Sequence, residues 1–117
     1  MNWDQVKSEV EDHGGVLTVS MEALRDAAGA KKLGIHVRTK ITKRLAGSGL
    51  GHVPTVLPAN QSDQVRLYKK GTHVGDLIDT VLQPGQQNDR KLAEYSEGEG
   101  ADYKAIVDAV RELVVGE

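Results

Sequence analysis

The sequence of 117 residues, with 38% hydrophobic content, is long enough for one small folded domain, and without Phe its core must be largely aliphatic. The absence of cysteine excludes disulfide bonds and thiolate metal sites, and no apolar stretch approaches the roughly 20 residues that a membrane span needs. The formal net charge is only −2, and residues 1–15 have no apolar signal region, so we expect a cytoplasmic protein.

The first segment predicts a helix followed by a short strand. Asn2 or Asp4 can cap the helix, and the glycine pair at 14–15 ends it. The β-branched run at 16–19 is then compatible with one strand. The helix has an apolar stripe with i, i+3, i+7 spacing, which is formed by Trp3, Val6 and Val10.

Residues 20–46 predict two helices separated by a tight turn. Ser20 is a good N-cap for the first helix, and Gly29 lies where the turn needs a positive φ. In the second helix, residues 35–46, three aliphatic side chains share one side at about 100° per residue: Val37, Ile41 and Leu45. The opposite side carries His36, Thr39, Lys40 and Lys43, while Arg38 and Arg44 flank the apolar stripe.

The glycine-rich run 47–51 ends this helix, and two strands are expected next, at 52–58 and 64–70. The turn-forming residues 59–63 join them. The prolines of the first strand cannot donate ladder hydrogen bonds, so we expect that strand at a sheet edge. Side chains of the second strand alternate between two faces, so one face can pack and the other can stay polar. Val65, Leu67 and Lys69 share one face, and Arg66, Tyr68 and Lys70 share the polar face.

The remaining sequence predicts a helix, a polar linker and a last amphipathic helix. Thr72 can cap residues 73–82, whose apolar stripe is formed by Val74, Leu77, Ile78 and Val81. We expect a domain at 1–83, a polar linker at 84–100 and a C-terminal helix at 101–117. The apolar face of the last helix must be covered, and a second copy of the chain is the expected partner, which gives a homodimer.

Positive charge is concentrated in the middle of the chain. Residues 1–30 carry two basic and six acidic side chains, and residues 71–117 carry four basic and ten acidic ones. Residues 31–70 instead carry nine basic side chains against Asp63 alone. This asymmetry indicates an anionic partner for the middle segment. The alternative is a solvated surface whose positive charges are balanced in space by the acidic ends.

Helix, strand, helix, tight turn, basic helix and hairpin follow one another over residues 3–70, and this order resembles the winged helix-turn-helix fold. The resemblance implies an α+β, mainly helical architecture with additional C-terminal helices. It also implies binding of double-stranded DNA, with residues 35–44 as the recognition helix in the major groove and residues 58–70 as the wing. The wing tip at 59–63 has no Arg or Lys, so we expect phosphate contacts along the strand rather than at the tip.

The expected DNA-binding residues form two groups. The recognition helix supplies His36, Arg38, Thr39, Lys40, Lys43 and Arg44. The wing and its flanks supply Lys31, Lys32, Arg66, Lys69 and Lys70. Lysine can donate to guanine, threonine can touch a thymine methyl group, and both Lys and Arg neutralise phosphates. The hypothesis is a sequence-selective transcriptional regulator or genome-associated factor, which would be nucleoid-associated if the protein is bacterial.

No pattern in the sequence predicts an enzyme. The glycine-rich run 47–51 precedes a proline-bearing strand, so it lacks the context of a phosphate-binding loop. The four histidines are scattered, so no metal or cofactor is expected. The alternative to DNA binding is a protein-interaction adaptor with the same fold, which joins an assembly through its apolar C-terminal helices. RNA binding favours exposed aromatic side chains, and the basic segment contains only Tyr68.

Overall fold

The structure of the protein, a computed structural model, describes residues 1–97. These residues form five helices and one three-stranded antiparallel sheet. The chain divides into two units, of which the first is Met1–Lys70 and the second begins at Gly71. The first unit contains α1 (Trp3–Asp12), β1 (Val16–Ser20), α2 (Met21–Ala27), α3 (Ile35–Gly47), β2 (Leu50–Val53) and β3 (Gln64–Lys69). The second unit contains α4 (His73–Leu82) and α5 (Gln86–Glu97).

Side-chain caps explain where three of the helices begin. Asn2 and Gln5 form a capping box at the start of α1, in which both hydrogen bonds are 2.9 Å long. The Ser20 hydroxyl accepts a hydrogen bond from the Ala23 amide at 3.1 Å, and Thr72 caps α4 in the same way. The caps predicted at Asn2, Ser20 and Thr72 are therefore confirmed.

The sheet has the strand order β1-β3-β2, so β3 lies in the centre and β2 lies at an edge, as predicted. Gly51 of β2 is directly opposite Tyr68 of β3. The bounds of the strand predicted at 52–58 are wrong, because β2 is Leu50–Val53 and Pro54 has no amide hydrogen with which to continue the ladder. Together with α1, α2 and α3, this order of strands is compatible with a winged-helix-like layout.

The hydrophobic core of the first unit is formed by the sheet and the three helices. The predicted stripes supply Val6, Val10, Ile41, Leu45, Val65 and Leu67, and α2 adds Met21 and Leu24. The alternation predicted for β3 is wrong at one position, because Tyr68, on the expected polar side, is only 3% exposed. Its ring lies against the backbone of Gly51, a contact that the sequence pattern of β3 alone does not contain.

The second unit is formed by α4 and α5, which pack against each other. Two buried leucines and two partly buried side chains form their contact: Leu77, Val81, Leu92 and Tyr95. The polar linker predicted at 84–100 is therefore wrong over Gln86–Glu97, because two apolar residues at i, i+3 spacing give this polar segment one packing stripe. The sequence also groups α4 with residues 1–83, whereas in the structure α4 belongs to the second unit. The helix predicted at 101–117, and the homodimer formed through it, lie outside the described residues.

Tyr68 leaves no room for a side chain at position 51, because a Cβ atom there would overlap the phenol ring. We expect Gly51→Ala to lower the free energy of unfolding by about 1–3 kcal/mol, the usual cost of overpacking a core. Chemical denaturation measures this difference. The matched control is Gly47→Ala, where the added Cβ atom would meet nothing within 4 Å, and this change should be neutral or slightly stabilising. Equal effects of the two changes would contradict the packing role of Tyr68.

Candidate nucleic-acid interface

The orientation of α3 is set by its buried apolar stripe. Ile41 and Leu45 have 0% exposed surface, and Val37 packs against the same core. Gly29, with a φ of 67°, reverses the chain between α2 and α3 in a conformation that favours glycine. The opposite side of α3 faces solvent, and the four polar side chains predicted there are all exposed: His36, Thr39, Lys40 and Lys43. The prediction that these side chains share an exposed side of the helix is confirmed.

The positive charges of α3 have no acidic partner in the described part of the chain. Lys40, Lys43 and Arg44 are exposed and take part in no ion pair within residues 1–97. The ion pairs in these residues are Arg25–Glu22, Arg25–Asp26 and Lys69–Glu11. The reason is already in the sequence, which has no acidic residue between Asp26 and Asp63. This side of α3 therefore carries three exposed cations without an acidic partner in the described residues.

Arg38 connects α3 to two neighbouring segments. Its Nε donates to the carbonyl oxygen of Leu33 at 3.1 Å, and its Nη1 donates to the carbonyl oxygen of Leu57 at 3.4 Å. Leu33 precedes α3, and Leu57 belongs to the connection between β2 and β3, residues 54–63, so one guanidinium holds both segments against the helix. From the sequence, Arg38 is expected among the DNA-binding residues of the recognition helix. In the structure, its hydrogen bonds hold two neighbouring segments against α3.

The connection between β2 and β3 is also attached to α2. The Met21 amide donates to the Asp63 carbonyl oxygen at 2.9 Å, and the Glu22 amide donates to the Gln61 carbonyl oxygen at 3.0 Å. Arg25 Nη1 donates to the side-chain oxygen of Gln61 at 2.6 Å. These acceptors satisfy amides of the first turn of α2, which have no partner inside their own helix. The expected wing tip is therefore held against α2 at Gln61 and Asp63.

Lys69 and Arg66 lie on opposite sides of β3, because side chains alternate along a strand. Lys69 Nζ is 2.8 Å from Oε1 of Glu11 in α1. The hydrogen bond from Lys69, together with its charge, lowers the pKa of the Glu11 carboxyl group. Both side chains are more than a third exposed, at 37% and 39%, so solvent screens their attraction and the pair is weak. A phosphate group can therefore compete with Glu11 for Lys69.

The other predicted flank cations are close to the two ends of α3. Lys31 and Lys32 are exposed in the connection that leads from α2 into the start of α3. Lys70 is exposed at the end of β3, where its amide donates to the carbonyl oxygen of Gly49 at 3.0 Å. Gly49 directly follows Ser48, the C-cap of α3, so this backbone contact keeps Lys70 close to the C-terminal end of the helix.

A cleft of about 360 Å³ lies between α3 and the connection between β2 and β3. Its lining residues are Ile35, Arg38, Thr39, Thr42, Lys43, Thr55, Val56 and Leu57. Ile35 and Val56 are large aliphatic side chains, and they are 67% and 75% exposed. The cleft could not be predicted from the sequence, because it depends on where residues 54–63 lie relative to α3. One feature of the sequence does point to the cleft. Ile35 is an aliphatic residue among the polar residues on the exposed side of α3.

Comparisons with protein-family models, with curated proteins and with solved structures found no match. Within residues 1–97, none of the helices combines the length and the apolar character that crossing a membrane requires. The same residues contain no cluster of three or more His, Asp or Glu side chains that could hold a metal ion. The functional interpretation therefore depends on the geometry and charge of α3 and its surroundings.

Arg38 and Arg44 allow a matched test, because both are arginines of α3 with different surroundings. Arg38→Ala should lower the free energy of unfolding by about 1–3 kcal/mol, because two carbonyl groups lose their donor. Arg38→Lys should not restore stability, since lysine lacks the planar fork that reaches two acceptors. Arg44→Ala should change stability by less than about 0.5 kcal/mol. Urea denaturation measures all three, and equal losses for the two alanine variants would rule out the special role of Arg38.

Proposed function

We propose that this protein binds double-stranded DNA with sequence selectivity, as a transcriptional regulator or genome-associated factor with a winged helix. The observation that carries the proposal is the exposed side of α3, where Lys40, Lys43 and Arg44 have no acidic partner within residues 1–97. The winged-helix-like order of the elements supports the same interpretation, because the corresponding helix of that fold enters the major groove.

DNA suits this surface for physical reasons. An α-helix with its side chains is about 10–12 Å in diameter, and the major groove is about 12 Å wide. Lys and Arg side chains that neutralise phosphates release counterions, and this release supplies most of the non-specific affinity. Sequence is read separately, by side chains that reach the edges of the bases. The exposed side of α3 has the residue types for both tasks.

We assign base contacts to the middle of this side and phosphate contacts to its flanks. Lys40 and Lys43 can each donate to the major-groove acceptors of guanine, and His36 can donate as well. The phosphate contacts beside α3 fall to Lys31, Lys32, Arg44 and Lys70, and Arg66, on the opposite side of β3 from Val65 and Leu67, is a further expected contact. Lys69 can join them when a phosphate displaces Glu11, whereas Arg38 keeps the surrounding segments in place.

The proposal predicts binding that weakens steeply with salt. About six phosphate contacts should give a slope of about −5 for the logarithm of the association constant against the logarithm of salt concentration, at about 0.9 per contact. Fluorescence anisotropy with a mixed-sequence duplex at several salt concentrations measures the slope. A slope flatter than about −2 contradicts docking of α3 in the groove. Absence of binding even at low salt would favour the protein-interaction adaptor instead.

Single lysine variants separate base reading from positioning. Lys40→Ala or Lys43→Ala should each cost about 1–3 kcal/mol of binding free energy and relax the preference at one base pair. Lys70→Ala should weaken binding to all sequences alike and reduce the size of the salt slope by about one. Anisotropy titrations against a panel of duplexes measure both effects. Lys7→Ala, which changes an exposed lysine of α1, is the matched control and should leave affinity nearly unchanged.

The pattern of losses is the decisive result. If Lys40, Lys43 and Lys70 variants all lost affinity equally and without regard to sequence, α3 would lie on the phosphate backbone rather than read bases. If Lys7→Ala weakened binding as much as the others, the effect would come from total charge and not from α3.

A further inference from the structure

We propose that the cleft between α3 and the connection between β2 and β3 contacts the 5-methyl groups of thymine in the major groove. The inference rests on the proposed function, because it names a chemical group that the same surface reads in DNA. Thymine is the base whose major-groove edge carries a methyl group, and apolar side chains recognise it there. The protein should therefore prefer duplexes that carry methyl groups in this groove.

Two of the three threonine hydroxyl groups that line the cleft, those of Thr39 and Thr42, are engaged within the protein, and Thr55 supplies the third. Thr39 Oγ1 donates to the carbonyl oxygen of Ile35 at 2.9 Å, and Thr42 Oγ1 is 3.3 Å from Nε2 of His52. Arg38 likewise directs two of its nitrogen atoms at backbone carbonyls. What the cleft offers to an incoming molecule is consequently dominated by aliphatic groups, of which Ile35 and Val56 are the most exposed.

The charge around the cleft favours an anionic occupant over a purely apolar one. Neither α3 nor the connection that faces it supplies an acidic residue before Asp63. Lys43 lines the cleft and takes part in no ion pair within residues 1–97. An apolar peptide would offer no negative charge to Lys43. Thymine-containing DNA offers a methyl group and phosphate groups together.

The placement along α3 agrees with this occupant. Ile35 and Thr39 are at i, i+4 spacing in the N-terminal half of the helix, so their side chains are neighbours on one side. The N-terminal residues of recognition helices are those that contact base edges. Lys43 follows one turn later, where it can reach a guanine or a phosphate. Val56 approaches the same cleft from the connection between β2 and β3.

The experiment compares two duplexes that differ only in the methyl group. One has alternating adenine and thymine, and the other has deoxyuridine at every thymine position, at equal length and equal low salt. We expect the full-length protein to bind the uracil duplex roughly fourfold less tightly for each methyl group that is buried in the complex. In an alternating guanine–cytosine duplex, 5-methylcytosine carries its methyl group in the same groove and should raise the affinity.

Variants assign the discrimination to the cleft. The double change Ile35→Ser and Val56→Ser should abolish the difference between thymine and uracil, while binding to the uracil duplex remains. Both side chains are exposed, so the variant should fold, and circular dichroism verifies this. Lys70→Ala, which removes an expected phosphate contact outside the cleft, is the matched contrast, and it should weaken binding to both duplexes while it preserves their ratio.

Three results would overturn the inference. Equal affinity of the unmodified protein for the two duplexes would show that it does not sense the methyl group, although DNA binding itself would stand. Discrimination that persists in the double serine variant would place the sensing outside the cleft. Self-association that the double variant abolishes, measured by sedimentation without DNA, would assign the cleft to a second copy of the chain. Failure to bind any duplex at low salt overturns the proposed function itself.

Discussion

Burial of Ile41 and Leu45 determines which side of α3 faces solvent, and the rest of the candidate interface depends on that choice. Each fully buried aliphatic side chain contributes about 1.5–3 kcal/mol, whereas an exposed ion pair contributes about 0–1 kcal/mol. No rearrangement of surface charges can therefore rotate the helix against its core. Lys40 and Lys43 face outward because the aliphatic residues lie on the opposite side of α3. Lysines on that aliphatic side would have to be buried.

Two arginines of the first unit hold segments of the fold together, whereas the exposed cations of α3 do not. Arg25 and Arg38 each hold the connection between β2 and β3, through Gln61 and Leu57 respectively. A planar guanidinium can direct several N–H groups at separate acceptors, so it suits this bridging role. The exposed side of α3 instead carries Lys40, Lys43 and Arg44, which hold no other segment of the described chain. Loss of Arg25 or Arg38 therefore need not report on binding at all.

Features that depend on neighbours along the chain could be predicted from the sequence, and those that depend on distant partners could not. Spacings of a few residues predict the caps at Asn2 and Ser20, and they also predict which side of α3 is buried. The structure confirms both caps and the buried side. Burial of Tyr68 was missed because it needs a glycine on the neighbouring strand. The packing of α5 was missed because two apolar residues in a polar segment mean little until α4 is beside them. The role of Arg38 needs a carbonyl group 19 residues away, so spacing alone cannot reveal it.

Attachment of the connection between β2 and β3 has a consequence for recognition. A loop that becomes ordered only on binding loses conformational entropy at that moment, and this loss reduces affinity. Here hydrogen bonds to α2 and to Arg38 fix the connection in the unbound protein, so the cleft exists before any partner arrives. Ile35 and Val56 are then exposed to water in the unbound state, which is unfavourable for the isolated chain. In the proposed complex with DNA, their burial against thymine methyl groups would contribute to the free energy of binding, which is the stability–function exchange expected of a binding site.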